Sequence, residues 1–173
     1  KELNIKNEEL FKLSITDKLT GLYNRVKLDS VLQENMSLSL RYGNIFSVII
    51  IDIDFFKKIN DNFGHQVGDD VLKECSYILS QNIRNVDTLG RWGGEEFLVV
   101  CPETLKDGAK DLAIKLNKAI KLHKFSTYPH SVTISVGVAS CSVNDLNYDD
   151  IISNADKALY EAKNNGRDRV EVF

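Results

Sequence analysis

The sequence predicts an α+β domain, a sheet carrying one or two helical layers, and a few features of the chain point to it. Phe46 to Asp54 is a nearly continuous β-branched run, too short for a typical helix and too apolar for a half-exposed strand. Further on, apolar residues twice keep helical spacing, and between those stretches a Gly-Gly turn opens a second apolar run.

Lys1 to Ile15 is charged, with Leu3, Leu10 and Leu13 scattered through it and no Gly or Pro, so it reads as helix. Two apolar heptads do not establish a coiled coil, which leaves an ordinary N-terminal helix or a connector from an upstream domain. A helix is expected from about Leu22 to Arg41, stopped by Gly43, and then the central strand ending in Asp52 and Asp54. Val67 to Ile83 is amphipathic through Val71, Leu72, Cys75, Ile78 and Leu79. Arg91 to Phe97 makes a hairpin turn whose Gly93 and Gly94 are free to take positive φ, with Phe97 to Val100 as the buried strand that anchors it. Leu105 to Ile120 is a second amphipathic helix, Val132 to Ala139 a strand, and Ile151 to Ala162 a helix stopped near Gly166. Val170 to Phe173 closes the chain as a short strand.

At 173 residues the chain fits one domain with a real core. Its formal charge of -3, with both signs interspersed, offers no basic stripe for a nucleic acid polymer. No apolar run approaches a membrane span, and no signal peptide precedes the fold, so direct membrane insertion is not expected. Cys75, Cys101 and Cys141 lack the close pairing of a metal or redox motif and read as reduced packing residues of a cytosolic protein.

The chemistry concentrates in a few places. Asp52 and Asp54, two residues apart on a strand, point to one side of the sheet and Ile53 to the other. They either cap the strand as it leaves the core or share a divalent cation, and Mg²⁺ suits an Asp52 carboxylate plus an acid of the hairpin and substrate phosphates. Because side chains alternate, only one of Glu95 and Glu96 should face that metal. Alone, Gly-Gly-Glu-Glu is equally an ordinary turn with solvated acids. Phe55 to Asp70 is dense in groups able to read a nucleotide: lysines for phosphate, Asn and Asp for a base edge. An Asp carboxylate can accept from both N1-H and the 2-amino group of guanine, which adenine cannot match. Taken singly, Asn60 and Gly64 are also turn residues, and Asp69 also suits a first helical turn.

Asp17-Lys-Leu-Thr-Gly-Leu-Tyr-Asn-Arg25, Asp52 to Asp69, Arg91 to Phe97, Thr133 to Ala139 and Ala155 to Arg167 follow one another in an order and spacing that resemble the GGDEF domain of diguanylate cyclases across nearly the whole chain. The resemblance implies a central, mostly antiparallel sheet flanked by helices, similar to the nucleotidyl cyclase and polymerase palm fold, over 16–173, with 1–15 as the end of a signalling helix. It implies condensation of two GTP into cyclic di-GMP with release of two pyrophosphates. Asp52, the Ile53 carbonyl and Glu95 would hold Mg²⁺ (Mn²⁺ being an alternative), and Glu95 would accept the hydroxyl proton. Asp54 and Glu96 become supporting acids. Lys57, the Phe55 and Phe56 amides, Lys163 and Arg167 would meet the phosphates, with Gly93 and Gly94 leaving room for substrate. Asn60 and Asp69 would read guanine, with His65 nearby. Glu95 stands where the family name has Asp, which keeps the carboxylate, and Val26 stands where a second Arg often follows Asn24-Arg25. His123 and His130 match nothing functional and read as surface residues.

Arg84-Asn-Val-Asp87 resembles the family's inhibitory RxxD site, where an arginine binds product phosphate or guanine and the acid accepts from the base edge. Its bland counterpart is a helix end followed by a strand entry. A symmetric cyclic product made from two nucleotides calls for an antiparallel homodimer. The alternative within the same resemblance is a catalytically silent domain acting as a GTP or cyclic di-GMP receptor. The expected location is the cytoplasm, on its own or as the cytoplasmic part of a larger sensor.

Overall fold

A computed structural model describes residues 12–142 and 144–173. In chain order these form α1 (Arg25–Tyr42), β1 (Phe46–Ile53), α2 (Phe56–Phe63), α3 (His65–Asn82), β2 (Thr88–Arg91), β3 (Glu96–Pro102), α4 (Lys106–Leu122), β4 (Ile134–Ser140), α5 (Tyr148–Asn164) and β5 (Arg169–Val172). The strands make one sheet of five in the order β2-β3-β1-β4-β5. All neighbours are antiparallel except β4 and β5. Of the expected N-terminal helix, 12–15 is helical and 1–11 lies outside the described residues.

β1 is buried along its whole length because helices cover both faces of the sheet. On one face Ile49, Ile51, Phe97, Val99, Val136 and Val138 pack with Val71, Leu72, Cys75 and Leu79 of α3 and with Ala113 and Leu116 of α4. On the other, Val48, Ile50, Leu98 and Val100 meet Leu28, Leu32 and Met36 of α1 and Ile151, Ala155 and Leu159 of α5. Gly137 lets α5 lie directly on β4, since a Cβ there would come within 2.2 Å of the Ala155 carbonyl oxygen. Among the described residues no helix is long and apolar enough to cross a membrane.

The elements fall near their expected places, with informative differences. α1 starts at Arg25 rather than Leu22 because the Asn24 side chain caps it, accepting from the Lys27 amide at 3.1 Å. Upstream, Asp17 accepts from the Thr20 amide and hydroxyl, folding 17–20 into a turn that ends at Gly21, φ 72°. The unforeseen element is α2. Its sequence is mostly polar and carries no capping side chain, and only Phe56 and Ile59 are buried, so its amphipathic signal is a single i,i+3 pair. Cys75 and Cys101 lie in the core as expected, and burial pushes the Cys101 thiol up to about 12. His123 is not a free surface residue: its Nε2 lies 2.7 Å from the Glu74 carboxylate, tying α3 to the end of α4. His130 is exposed, edge-on to Phe63 and Tyr128.

Candidate active site

The catalytic candidates gather where β1 and β3 end beside the turn from β2. The β1–β3 register sets Glu96 opposite Asp52, and the β1–β4 register sets Ser135 opposite it on the other side. Directly paired residues share a face, so Asp52 and Glu96 look toward α5. From α5, Lys163 reaches down and donates to Asp52 Oδ2 at 2.9 Å. Burial raises the Asp52 carboxyl above its ordinary value; the Lys163 hydrogen bond and charge oppose this, while Glu95 and Asp54 add to it. Glu96 is raised as well, by burial first and then by Asp52. One lysine therefore serves several close carboxylates.

Asp54, which follows Asp52 on the same side, is placed quite differently. It accepts from Ser135 Oγ at 2.6 Å, Thr133 Oγ1 at 2.7 Å and the Asp168 amide at 3.0 Å. Asp168 and the preceding Arg167 have φ of 47° and 63°, a conformation that L-residues adopt reluctantly, so Asp54 fixes a strained turn after α5. That turn sets the Arg167 guanidinium over the Phe55 ring, 4.7 Å from its centroid, with Lys58 Nζ at 4.6 Å. Phe55 itself stands at φ 56°, immediately before α2.

The other side of the acid edge is a cleft of about 380 Å³ lined by Phe56, Lys57 and Asn60 of α2, His65, Asp69 and Leu72 of α3, and Arg91, Gly94 and Glu95 of the turn. Glu95 and Glu96 thus part company as alternation requires: Glu96 faces Asp52 across the strands, and Glu95 lines the cleft. The Ile53 amide donates to the Glu95 carbonyl at 3.3 Å, so β1 also holds the turn.

Neither Gly93 nor Gly94 uses the positive φ expected of it. A Cβ at Gly93 would press on a Glu96 carboxylate oxygen at 3.0 Å, a tight contact that the Glu96 side chain would have to yield to, whereas Gly94 faces open space. The turn is shaped by Arg91, whose side chain donates to the Gly94 carbonyl at 2.7 Å and to both Asp17 carboxylate oxygens at 3.3 Å. Trp92 is covered by the Arg25 guanidinium, 3.2 Å from the ring centroid. These clamps from Asp17 and Arg25 were not read from the sequence. The signal was present in the segment from Asp17 to Arg25, but its target lies far along the chain.

Arg84 and Asp87 meet at the opposite end of β2 from the turn. The guanidinium donates to Asp87 at 2.9 and 3.2 Å and to Thr104 Oγ1 at 2.6 Å. The Asp87 side chain is fully buried and the Arg84 side chain is 55% exposed.

The donor chemistry suits a hard divalent cation, because acids crowd one edge and repel one another. Among the described residues no three His, Cys, Asp or Glu converge into a closed cage.

An antiparallel sheet with acids at the ends of its central strands and helices on both faces defines a palm-like domain of the nucleotidyl cyclase type. The chain belongs to the GGDEF domain family: the family model described as "Diguanylate cyclase, GGDEF domain" matches residues 14–169. Diguanylate cyclase A of Treponema denticola is 39% identical over 97% of this chain and 47% of its own length. Response regulator PleD of Caulobacter vibrioides is 38% identical over 92% of this chain and 36% of its own. The chain thus spans between about a third and a half of these relatives. Among solved structures, the coiled coil and GGDEF domain of DgcB from Caulobacter crescentus in complex with c-di-GMP superposes with a TM-score of 0.93 at 26% identity, covering 99% of this chain and 92% of that one. The active GGEEF domain of a diguanylate cyclase from Vibrio cholerae, with the same Glu-Glu signature, gives 0.83 at 36% identity over 87% and 96%.

Proposed function

We propose that this domain condenses two GTP molecules into cyclic di-GMP and releases two pyrophosphates. The observation that carries the reading is the adjacency of the Asp52 edge and the cleft between α2 and α3, in which Lys57, Asn60, Asp69 and Glu95 share one wall. Asp52, the Ile53 carbonyl and Glu95 would hold Mg²⁺, with Glu96 adding negative charge behind them. When bound, the metal neutralises phosphate oxygens and supports the charge that develops on them. Lys57 and the Phe55 and Phe56 amides meet the phosphates, and Lys163 and Arg167 approach the triphosphate tail from the α5 side. Glu95 takes the proton of the 3′-hydroxyl as that oxygen attacks the α-phosphate of the second nucleotide. Asn60 and Asp69 read guanine, and His65 stands beside them.

Each half of this chemistry needs the other nucleotide, so the working unit is an antiparallel homodimer. Segment 1–15 would carry alignment from any upstream domain to this one, and the domain would act in the cytoplasm. The experiment is incubation with GTP and Mg²⁺ over a series of protein concentrations, followed by chromatography of the nucleotides. Cyclic di-GMP should form, with activity per molecule rising as the protein dimerises; GTP bound but unchanged at every concentration would make the domain a receptor.

The Arg84–Asp87 pair supports product inhibition at a second site. Asp87 and Thr104 hold the guanidinium in place while the side chain stays more than half exposed, open to a phosphate or a guanine edge. Arg84→Ala should raise the cyclic di-GMP concentration needed for half-inhibition by about tenfold or more, as loss of a charge-assisted bond implies. Unchanged inhibition in that variant would reject the site.

A further inference from the structure

Gly68 lies inside α3, where alanine would be the better helix former and where its backbone needs no unusual φ. Its place is explained instead by the side chain opposite. A Cβ on Gly68 would sit 1.8 Å from Asn60 Oδ1, 2.9 Å from Asn60 Cγ and 3.3 Å from Phe56 Cζ. The Asn60 amide group therefore rests directly against the bare Cα of Gly68, closing the back of the cleft between α2 and α3.

We infer that Gly68 is a specificity-determining positioning residue: by lacking a side chain it leaves room for the rotamer with which Asn60 presents its amide to a guanine base. The inference rests on the proposed guanine reading of the cleft. Moving the Asn60 side chain is cheaper than moving its backbone, because its carbonyl accepts the Gly64 amide at 2.8 Å and ends α2 at the turn into α3. The collision is therefore relieved by rotation of the Asn60 side chain, and staggered rotamers leave few alternatives in a helix. Any of them carries the amide away from its present place on the cleft wall, while Asp69, one residue on, keeps its own. Gly68 touches no nucleotide; it acts through Asn60.

The test measures dissociation constants for GTP and ATP analogues with a methylene α–β bridge, which bind without turnover. The proteins are wild type, Gly68→Ala, Asn60→Ala and the double variant. Gly68→Ala and Asn60→Ala should each weaken the GTP analogue by about tenfold, the effect of one lost base hydrogen bond, and leave the ATP analogue unchanged. The double variant should bind no worse than Asn60→Ala, because the collision partner is gone. Should Gly68→Ala fail to fold, a double variant that folds with the affinity of Asn60→Ala carries the same conclusion. Additive losses, equal weakening of both analogues by Gly68→Ala, wild-type GTP affinity in that variant, or a double variant that does not fold would each overturn the inference while the guanine reading stands. An Asn60→Ala protein with undiminished preference for GTP would instead remove the guanine reading, and this inference with it.

Discussion

Asp54 and Asp52 leave one strand two residues apart, and the fold treats them in opposite ways. Asp54 is enclosed by the Thr133 and Ser135 hydroxyls and the Asp168 amide, all within 3.0 Å, so its negative charge is met by donors that never leave. Asp52 is almost as buried, yet among the described residues its one charged partner is Lys163, and Glu95 and Asp54 repel it. A saturated carboxylate locks loops together. An under-compensated one is held ready for a positive ligand, and the energy that the fold gives up there is returned when that ligand arrives. The difference supports reading Asp54 as a structural acid and Asp52 as the acid proposed to meet the metal.

Substitution at both positions sharpens the contrast. Asp52→Asn should lower turnover by about a thousandfold or more, as expected when charge that supports a phosphoryl transition state is removed, and raise the urea midpoint slightly at neutral pH, because a carboxylate that burial disfavours gives way to a neutral amide. Asp54→Ala should do the reverse in kind, costing about 3 kcal/mol of stability as the buried Ser135 hydroxyl and its neighbours lose their acceptor. Its activity loss should follow from misplacing Arg167, and so appear in KM for GTP more than in kcat. Steady-state kinetics and urea titration of the two variants decide the matter. A stable Asp54→Ala protein, or an Asp52→Asn protein as active as wild type, would erase the distinction.

How much of this was legible in the sequence follows the range of the interactions. Four strands of the sheet could be read, because β-branched runs such as Val48 to Ile51 are local signals, whereas β2, Thr-Leu-Gly-Arg, was implied only by the hairpin turn; the ends of α1 and α5 could be approximated from Gly43 and Gly166. α2 could not, since eight mostly polar residues become a helix only when Phe56 and Ile59 find the core and Gly64, φ 88°, turns the chain into α3. The acids of the site were legible as a pattern, but their separate fates were not. Nothing near Asp54 in sequence announces that Thr133, Ser135 and Asp168 will enclose it. Likewise Gly93 and Gly94 invited an argument from φ, when the real constraint is the approach of Glu96 to Gly93 and the grip of Arg91 on the carbonyl of Gly94.

The smallest expected effect carries the comparison to pH. Asp17, like Asp54, is an acid the fold satisfies: burial works to raise its pKa, but the Thr20 hydrogen bonds and the Arg91 charge outweigh it, and the net direction is down from 3.8. The unfolded chain then binds more protons than the folded one just below that value, so the stabilisation is full above it and is lost as pH falls through the folded pKa. Glu96, like Asp52, is driven upward from 4.5 by burial and by Asp52, so here the folded state holds the extra proton, and stability declines as pH rises through the window above 4.5. Urea denaturation in EDTA between pH 3 and pH 7 should therefore show Asp17→Asn losing part of the acid-side slope of the wild type. Glu96→Gln should gain on the wild type as pH climbs past the ordinary glutamate range. Parallel curves for wild type and Glu96→Gln would mean that Glu96 is as well compensated as Asp54, and the division between satisfied and under-compensated acids would then run between Asp52 and the rest of the site.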